Sequence, residues 1–589
     1  MLRNELDPKF QWDFTHIYPD HNAWESAMQK AEQAVSALST LPGTLGRSKE
    51  ALKLALDAVA HAGELVEIPC IYAMLHRSAD GSVPLHQQMD ARAMTLSVKY
   101  STALSFLNPE ILSIPEETLA VWMAEPDMAD YRFLVGDISR SRTHTLDTAR
   151  EKMLAQLGDA AAMPQDAYEV LTNVNMQLPK VHDDDGKEVQ LTAGNFGVFR
   201  ESRNRSVREE AFRAMFGTYR SYGDTFAALY GGTIKFDTYF ANVRGYASAC
   251  EASLDTHNVP VSVYDSLIEA VHESFPAMQR YLALRRRILK LDKLDVFDLY
   301  TPMVENVDYP VPYENVKELV KAATKPLGEE YQRLLDKAFR ENWMDVYENT
   351  GKRSGAFSCG VYGVHPYVLL NYSGMLDDAF TVAHELGHSM HSWFSDHAQP
   401  FINHDYSIMV AEVASTVNEV LLTKHLLKTE TDPKRRAYVL NHFLEGFRTT
   451  IFRQTLFAEF ERKAHELYAA GTPVTASTLN SVYHDLEAAY YEGAEIDPVI
   501  DAEWSYIPHF YTPFYVYQYA TGFSSAVAIA EHILQTGDAS GYLKFLSTGG
   551  SDYPINELKL AGVDLTSPET VRSALHVFSD TIDELAALL

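Results

Sequence analysis

The chain has 589 residues, 46% of them hydrophobic and 22% charged, which is ordinary globular composition with enough length for several cores. Its 80 acidic residues outnumber 50 basic ones for a net charge of −30, which argues against nucleic acid and anionic membrane as partners. Cys70, Cys250 and Cys359 are odd in number and widely spaced, so neither a disulfide framework nor a cysteine metal site is expected.

The stretch from Met1 to Phe10 carries acids and no apolar run, and no segment approaches the ~18 apolar residues of a membrane span. A cytoplasmic protein is the expectation. Residues 24 to 124 are rich in Ala, Leu, Glu and Lys with helical periodicity, and prolines at 42, 69, 84, 109 and 115 punctuate them. Antiparallel helices broken at those prolines are predicted. Tyr131 to Leu157 continues in the same manner. Val181 to Thr192 reads as strand, Asp-Gly turn and strand, and this hairpin marks a boundary between a helical lobe, 1–195, and a second domain, 196–589.

Helices follow over 205–222, 226–243 and 261–291, an extended stretch over 300–312, and a helix over 313–342. Residues 350–364 are dense in glycine and read as a loop of close approach, while Pro366 to Tyr372 is β-branched and aromatic and reads as a strand. No repeat and no glycine-rich phosphate signature occurs.

The chemistry concentrates at Thr381 to His391, which contains His384-Glu-Leu-Gly-His388. Histidines four apart stand one turn above each other on a helix, the spacing that places two imidazoles on one zinc, and Glu385 beside them can act as general base on a water. A third protein ligand is required while one position stays open. His391 is excluded geometrically, because seven residues along a helix separate it from His384 by about 10 Å. Glu412 is the better ligand: it sits among Val410, Ala411, Val413 and Ala414, where a carboxylate is costly without a cation. Small residues at 411, 414 and 415 let that helix approach the first. Glu419, on the same face as Glu412, could orient a ligand histidine or make an ordinary ion pair.

A tetrahedral oxyanion needs further donors. The segment from His509 to Tyr519 packs one histidine and four tyrosines, with Tyr511, Tyr515 and Tyr519 at helical i+4 spacing. His509 and one or more of Tyr515, Tyr517 and Tyr519 are the candidates for oxyanion and substrate contacts, against the plainer reading of an aromatic core stripe.

These motifs resemble the M3 family of zinc metallopeptidases, specifically its oligoendopeptidase F group. The likeness rests on His384 to His391, on Ala411-Glu-Val-Ala-Ser-Thr-Val-Asn-Glu419 and on the 509–519 cluster, with echoes at Trp12-Asp-Phe-Thr, His144-Thr-Leu and Arg244-Gly-Tyr-Ala-Ser. It implies a mainly α, two-lobed body with a deep substrate channel and a small β-sheet beside the zinc helix. It also implies one zinc ion on His384, His388 and Glu412, Glu385 as base, short oligopeptides as substrates and a substrate-facing edge strand near 365–372. The function expected is a zinc endopeptidase. The alternatives are a zinc carboxypeptidase, for which no arginine stands out, and a peptide-binding module with a vestigial metal site. Oligomeric state is not legible.

Overall fold

The computed structural model describes residues 1–304, 307 and 309–589. Helix accounts for 72% of the chain, and the mainly α expectation holds. The chain forms two compact units, each made of three separate segments: 1–143, 308–425 and 529–563 in the first, 144–307, 426–528 and 564–589 in the second.

In the first unit, helices His21–Ala37, Lys49–Ala79 and Pro84–Ala103 pack against one another. The Ser48 hydroxyl caps the second of them by accepting the Ala51 N–H at 3.2 Å, which satisfies one of the donors a helix start leaves open. Two expectations fail in this helix. Pro69 lies inside it rather than at a break, buried, with its carbonyl taking the indole N–H of Trp24 at 2.9 Å. In addition, by length and composition the helix could span a membrane. Here Leu52, Leu56 and Val59 bury that apolar surface in a core with Leu107, Ile111 and Ile138.

A three-stranded sheet follows in the order β3 (Met344–Asp345), β5 (Tyr367–Leu369), β4 (Phe357–Cys359); β3 and β5 run parallel, β4 and β5 antiparallel. The strand predicted near 365–372 is therefore the middle strand, fully buried, and not an edge. The edge strands are β3 and β4, and β4 lies inside the stretch read as a glycine loop. Pairing decided this: the register Ser358 to Val368 places both segments in one sheet, which no local pattern reveals. Trp12 ties the N-terminal segment to the sheet by donating its indole N–H to the carbonyls of Trp343 and Val368, both at 3.0 Å.

The second unit contains the predicted hairpin, β1 (Lys180–His182) against β2 (Glu188–Gln190), with Gly186 at φ 75° in the turn. The region read as one helix over 261–291 is two, Val261–Glu273 and Phe275–Ile288, because Pro276 restarts the helix in its first turn. In the first unit the region 313–342 divides likewise at Pro326 and Gly328, the latter at φ 92°. The extended reading over 300–312 falls partly outside the described residues. Two distant motifs meet in the second unit: His144 stacks on Tyr246 at 3.7 Å, and Arg244 donates to the His144 carbonyl at 3.0 Å while pairing with Glu151 at 2.8 Å.

Candidate metal centre

Helix Leu376–Ala398 begins where the Asp378 carboxylate accepts the N–H groups of Ser373 and Met375, at 3.1 and 2.9 Å. The i,i+4 spacing brings His384 and His388 together, with Nε2 atoms 3.2 Å apart. Helix Ile408–Thr429 crosses this one at Gly387, where a Cβ would stand 2.5 Å from the Ser415 Cα and 2.6 Å from the Ala414 carbonyl oxygen. Only glycine permits that approach of backbones. The crossing is pinned by Asn418, which donates to the Ala383 carbonyl at 2.9 Å and accepts from the Tyr331 hydroxyl at 2.8 Å.

The close crossing delivers Glu412. Its Oε2 lies 3.5 Å from His384 Nε2 and 3.7 Å from His388 Nε2, and the donor atoms of the three residues all fall within 4.8 Å of one another. His384 Nδ1 donates to Glu419 at 2.5 Å, and the His388 ring donates to the Ala411 carbonyl. Those bonds assign the tautomers and leave both Nε2 lone pairs facing the Glu412 carboxylate. Three Lewis bases converging on one point repel unless a cation or proton lies among them. Burial lowers the His384 pKa, but the hydrogen bond to Glu419 and the surrounding carboxylates outweigh it and lift it to about 9. The same field thus favours positive charge at this point.

Glu385, next in the chain to His384, is 7% exposed and lies in the field of His384, Glu412 and Glu419. Burial pushes its carboxyl up to about 7, His384 opposes this, and the backbone N–H of Ser358 on β4 donates to it. The strand is held to the helix by the Ser358 and Ser389 hydroxyls, 2.9 Å apart, with Ser389 donating on to the Glu385 carbonyl at 2.9 Å. His391 stands outside the group, as its helical offset requires. It is stacked on Tyr406 with ring centroids 3.6 Å apart, and burial holds its pKa down at about 3.

The second unit carries the aromatic cluster. His509, Tyr515 and Tyr519 are mutual neighbours, with ring centroids 6.1, 5.9 and 5.4 Å apart. The helix starts only at Tyr517, so the spacing of Tyr511 with Tyr515 is not a helical face. Tyr511 packs on Tyr168 at 4.6 Å, and Tyr517, 2% exposed, packs on Tyr264 in the core. Phe514 adopts φ 52°, a left-handed conformation that costs a non-glycine residue roughly 1–2 kcal/mol. Its N–H donates to Glu461 at 2.6 Å and the preceding Pro513 carbonyl accepts from Ser253 at 2.8 Å, so the turn that presents Tyr515 is held from both sides.

A sequence profile described as Peptidase family M3 matches residues 198–577, and one described as Oligopeptidase F matches residues 110–177. The chain is 41% identical to oligopeptidase PepF of Bacillus subtilis, over 100% of this chain and 88% of that protein. It belongs to peptidase family M3. An oligoendopeptidase F homologue of Lactococcus lactis is 38% identical over 100% of this chain and 98% of its own length. Among solved structures, oligoendopeptidase-F from Enterococcus faecium superposes with a TM-score of 0.74 at 36% identity, covering 96% of this chain and 98% of that one. A candidate peptidase from Chlamydophila abortus gives a TM-score of 0.95 at 33% identity, covering 100% of both chains. The chain is thus a metallopeptidase of the oligoendopeptidase F group.

Within this M3 chain, Gly387, Asn418, Ser358 and Glu461 support the functional side chains and were not foreseen from the sequence. Gly387 carried a signal: a glycine inside a helix costs about 1 kcal/mol relative to alanine, so its presence there calls for a close approach. The other three act through partners 30 or more residues away, and only the fold brings them into range.

Proposed function

We propose that the chain is a zinc-dependent endopeptidase that cleaves internal bonds of short oligopeptides, with one zinc held by His384, His388 and Glu412. The observation that carries this reading is the convergence of two imidazole nitrogens and a carboxylate oxygen within 4.8 Å, with each ring turned inward by a bond on its other side. Two nitrogens and one oxygen are the donor set of a catalytic zinc with a position left open. When bound there, zinc supplies Lewis-acid chemistry, polarising a carbonyl and acidifying a water.

Every other role belongs to the chain. Glu385, pushed up to about 7 by burial, takes a proton from the attacking water at its carboxylate and returns it to the departing amine. Glu419 fixes the His384 ring through Nδ1. The free edge of β4, whose Ser358 N–H already reaches Glu385, suits an extended peptide backbone whatever its side chains. His509, Tyr515 and Tyr519 are read as donors to the substrate and its oxyanion, and Tyr517 as packing. The free thiols Cys70, Cys250 and Cys359 support a reducing, cytoplasmic setting.

The deciding experiment joins metal analysis to cleavage of internally quenched peptides blocked at both ends. One equivalent of zinc, cleavage of blocked peptides and loss of both on Glu412→Ala are expected. An enzyme that leaves blocked peptides intact but trims free C-termini would instead be a carboxypeptidase. Full activity after metal removal would reject the zinc reading altogether.

A further inference from the structure

The second unit carries a small pocket with a volume of about 30 Å³. That is room for one or two water-sized species, since a water needs roughly 10–15 Å³ on this scale. Its wall combines Phe212, Phe216 and Phe297 with Arg200, Arg448 and Tyr300. Apolar walls around cations are costly to build, because each buried guanidinium must be matched by an acceptor.

The matching is incomplete. Arg448, 1% exposed, directs Nε and Nη2 at Glu445, at 3.0 and 2.8 Å, and the fully buried Arg285 takes the other oxygen of the same carboxylate. Arg453 is matched by Glu503 through bonds of 3.1 and 2.7 Å. Glu487, the remaining acid on the wall, has its pKa raised by burial and by the charge of Glu503, with Arg453 opposing. Arg285 and Arg448 thus share the carboxylate of Glu445, Arg453 takes that of Glu503, and Arg200 Nε has no acceptor. Beside the wall, Arg205 and Arg208 likewise share one carboxylate, that of Asp298, at 3.0 and 2.6 Å. A cluster of five arginines, Arg200, Arg205, Arg208, Arg448 and Arg453, in a chain of net charge −30 is the reverse of what composition dictates.

Two polar atoms on the wall have no partner. The Tyr300 hydroxyl and Arg200 Nε are both buried and unbonded. They belong together: the Arg200 guanidinium lies 3.8 Å from the centre of the Tyr300 ring, and that of Arg448 lies 4.3 Å from it. Burial alone would raise the Tyr300 pKa, yet Arg453, Arg200 and Arg448 bring it below its ordinary value, which reports the same positive potential. Two unbonded hydrogen-bond donors on residues that line a water-sized space, in a cationic field, define the ligand by charge and size.

We propose that this pocket binds one small monovalent anion of the halide class, held by Arg200 and the Tyr300 hydroxyl beside the Arg448 guanidinium. A halide fits where a carboxylate or phosphate is too large, and it supplies negative charge and an acceptor beside Arg200. It acts as a structural counter-ion that joins the Phe196–Glu201 helix, Tyr300 and the 447–452 turn. Its occupancy stabilises the second unit.

The test uses the purified full-length enzyme exchanged into halide-free buffer. Melting temperature is followed while sodium chloride or bromide replaces sodium gluconate at constant ionic strength, and crystals grown in bromide are examined for anomalous scattering. A saturable rise with chloride and bromide but not gluconate is expected, together with a bromide peak between Arg200 and Tyr300. Because Arg448 is built into the core, Arg200→Gln and Tyr300→Phe are the variants, and Tyr300→Phe is expected to weaken the apparent halide affinity about tenfold, the worth of one hydrogen bond to an ion. Identical chloride and gluconate curves, or a bromide crystal with an empty pocket, would overturn the proposal. So would a tyrosinate absorption band in halide-free enzyme that Tyr300→Phe abolishes and that chloride leaves unchanged, since Tyr300 itself would then be the anion.

Discussion

At the scale of single residues, the proposed roles separate cleanly by what each side chain touches. Glu385 is not one of the three converging donors but is buried beside them with its pKa lifted to about 7. Glu385→Gln should therefore keep one equivalent of metal and lose turnover by about 10²–10⁴-fold, read by metal analysis and quenched-peptide kinetics on the same sample. Glu419 touches the metal group only through His384 Nδ1. Its replacement by Gln is expected to weaken zinc affinity by about 10–100-fold in competition with a chelator, with the fold intact by circular dichroism. His391→Ala should do the opposite, keeping metal while melting earlier, because it removes the ring stacked on Tyr406 and leaves a cavity. These assignments were legible because the H-E-x-x-H spacing is a local property of one helix. The tyrosines were less so: four share eleven residues, and the backbone conformation at Phe514, not the spacing, decides that Tyr515 joins His509 while Tyr511 and Tyr517 turn into the core.

Among elements, the crossing of helices Leu376–Ala398 and Ile408–Thr429 sets the metal geometry. The contact at Gly387 is with backbone atoms, which cannot step aside as a flexible side chain does. Gly387→Ala is expected to force the helices apart, at roughly 1–3 kcal/mol in stability, and to reduce zinc affinity as Glu412 withdraws. Thermal unfolding with and without excess zinc measures both effects, and a variant with unchanged melting and metal content would refute the assignment. The same scale explains the misplaced strand. Both 357–359 and 367–369 are short, and edge or centre is a property of the sheet order, settled by which neighbours complete the hydrogen bonding. Pro69 likewise misled a local reading, since a long helix packed on two others can carry a proline that an isolated helix would not.

For the molecule as a whole, stability should peak near neutral pH. His404 lies between Asp396, at 3.0 Å, and Glu67, at 3.3 Å; burial lowers its pKa, but those hydrogen bonds raise it to about 10. A histidine with a folded pKa above its unfolded value of about 6.5 contributes fully below that value and loses its contribution as pH rises through the folded one. Glu557, pushed from 4.5 up to about 9 by burial, adds a loss that runs across that whole interval as pH rises, because the unfolded chain releases that proton more readily. On the acid side, burial holds His76 down at about 3, so protonation of the unfolded chain below about 6.5 costs stability there. The melting temperature of the wild-type chain should fall in both directions. His404→Gln is expected to melt lower near neutrality and to converge on the wild type at alkaline pH, and a constant gap across the range would remove His404 from the account.

What the sequence determined by itself was what repeats or is spaced along one element: a mainly helical chain, the hairpin at 181–192 and two histidines on one helical face; Glu412 joins them although its side chain is 47% exposed and not buried among its apolar neighbours. Periodicity and spacing fix side-chain direction within an element because backbone geometry is the same everywhere in it. The tertiary structure alone decided what depends on two elements meeting: β4 as an edge beside Glu385, Gly387 as the point of crossing, Glu461 behind Phe514, and the arginines around Tyr300. Those are differences of a few ångströms between residues far apart in the chain. They are set by packing and by the pairing of buried charge, which no local pattern records.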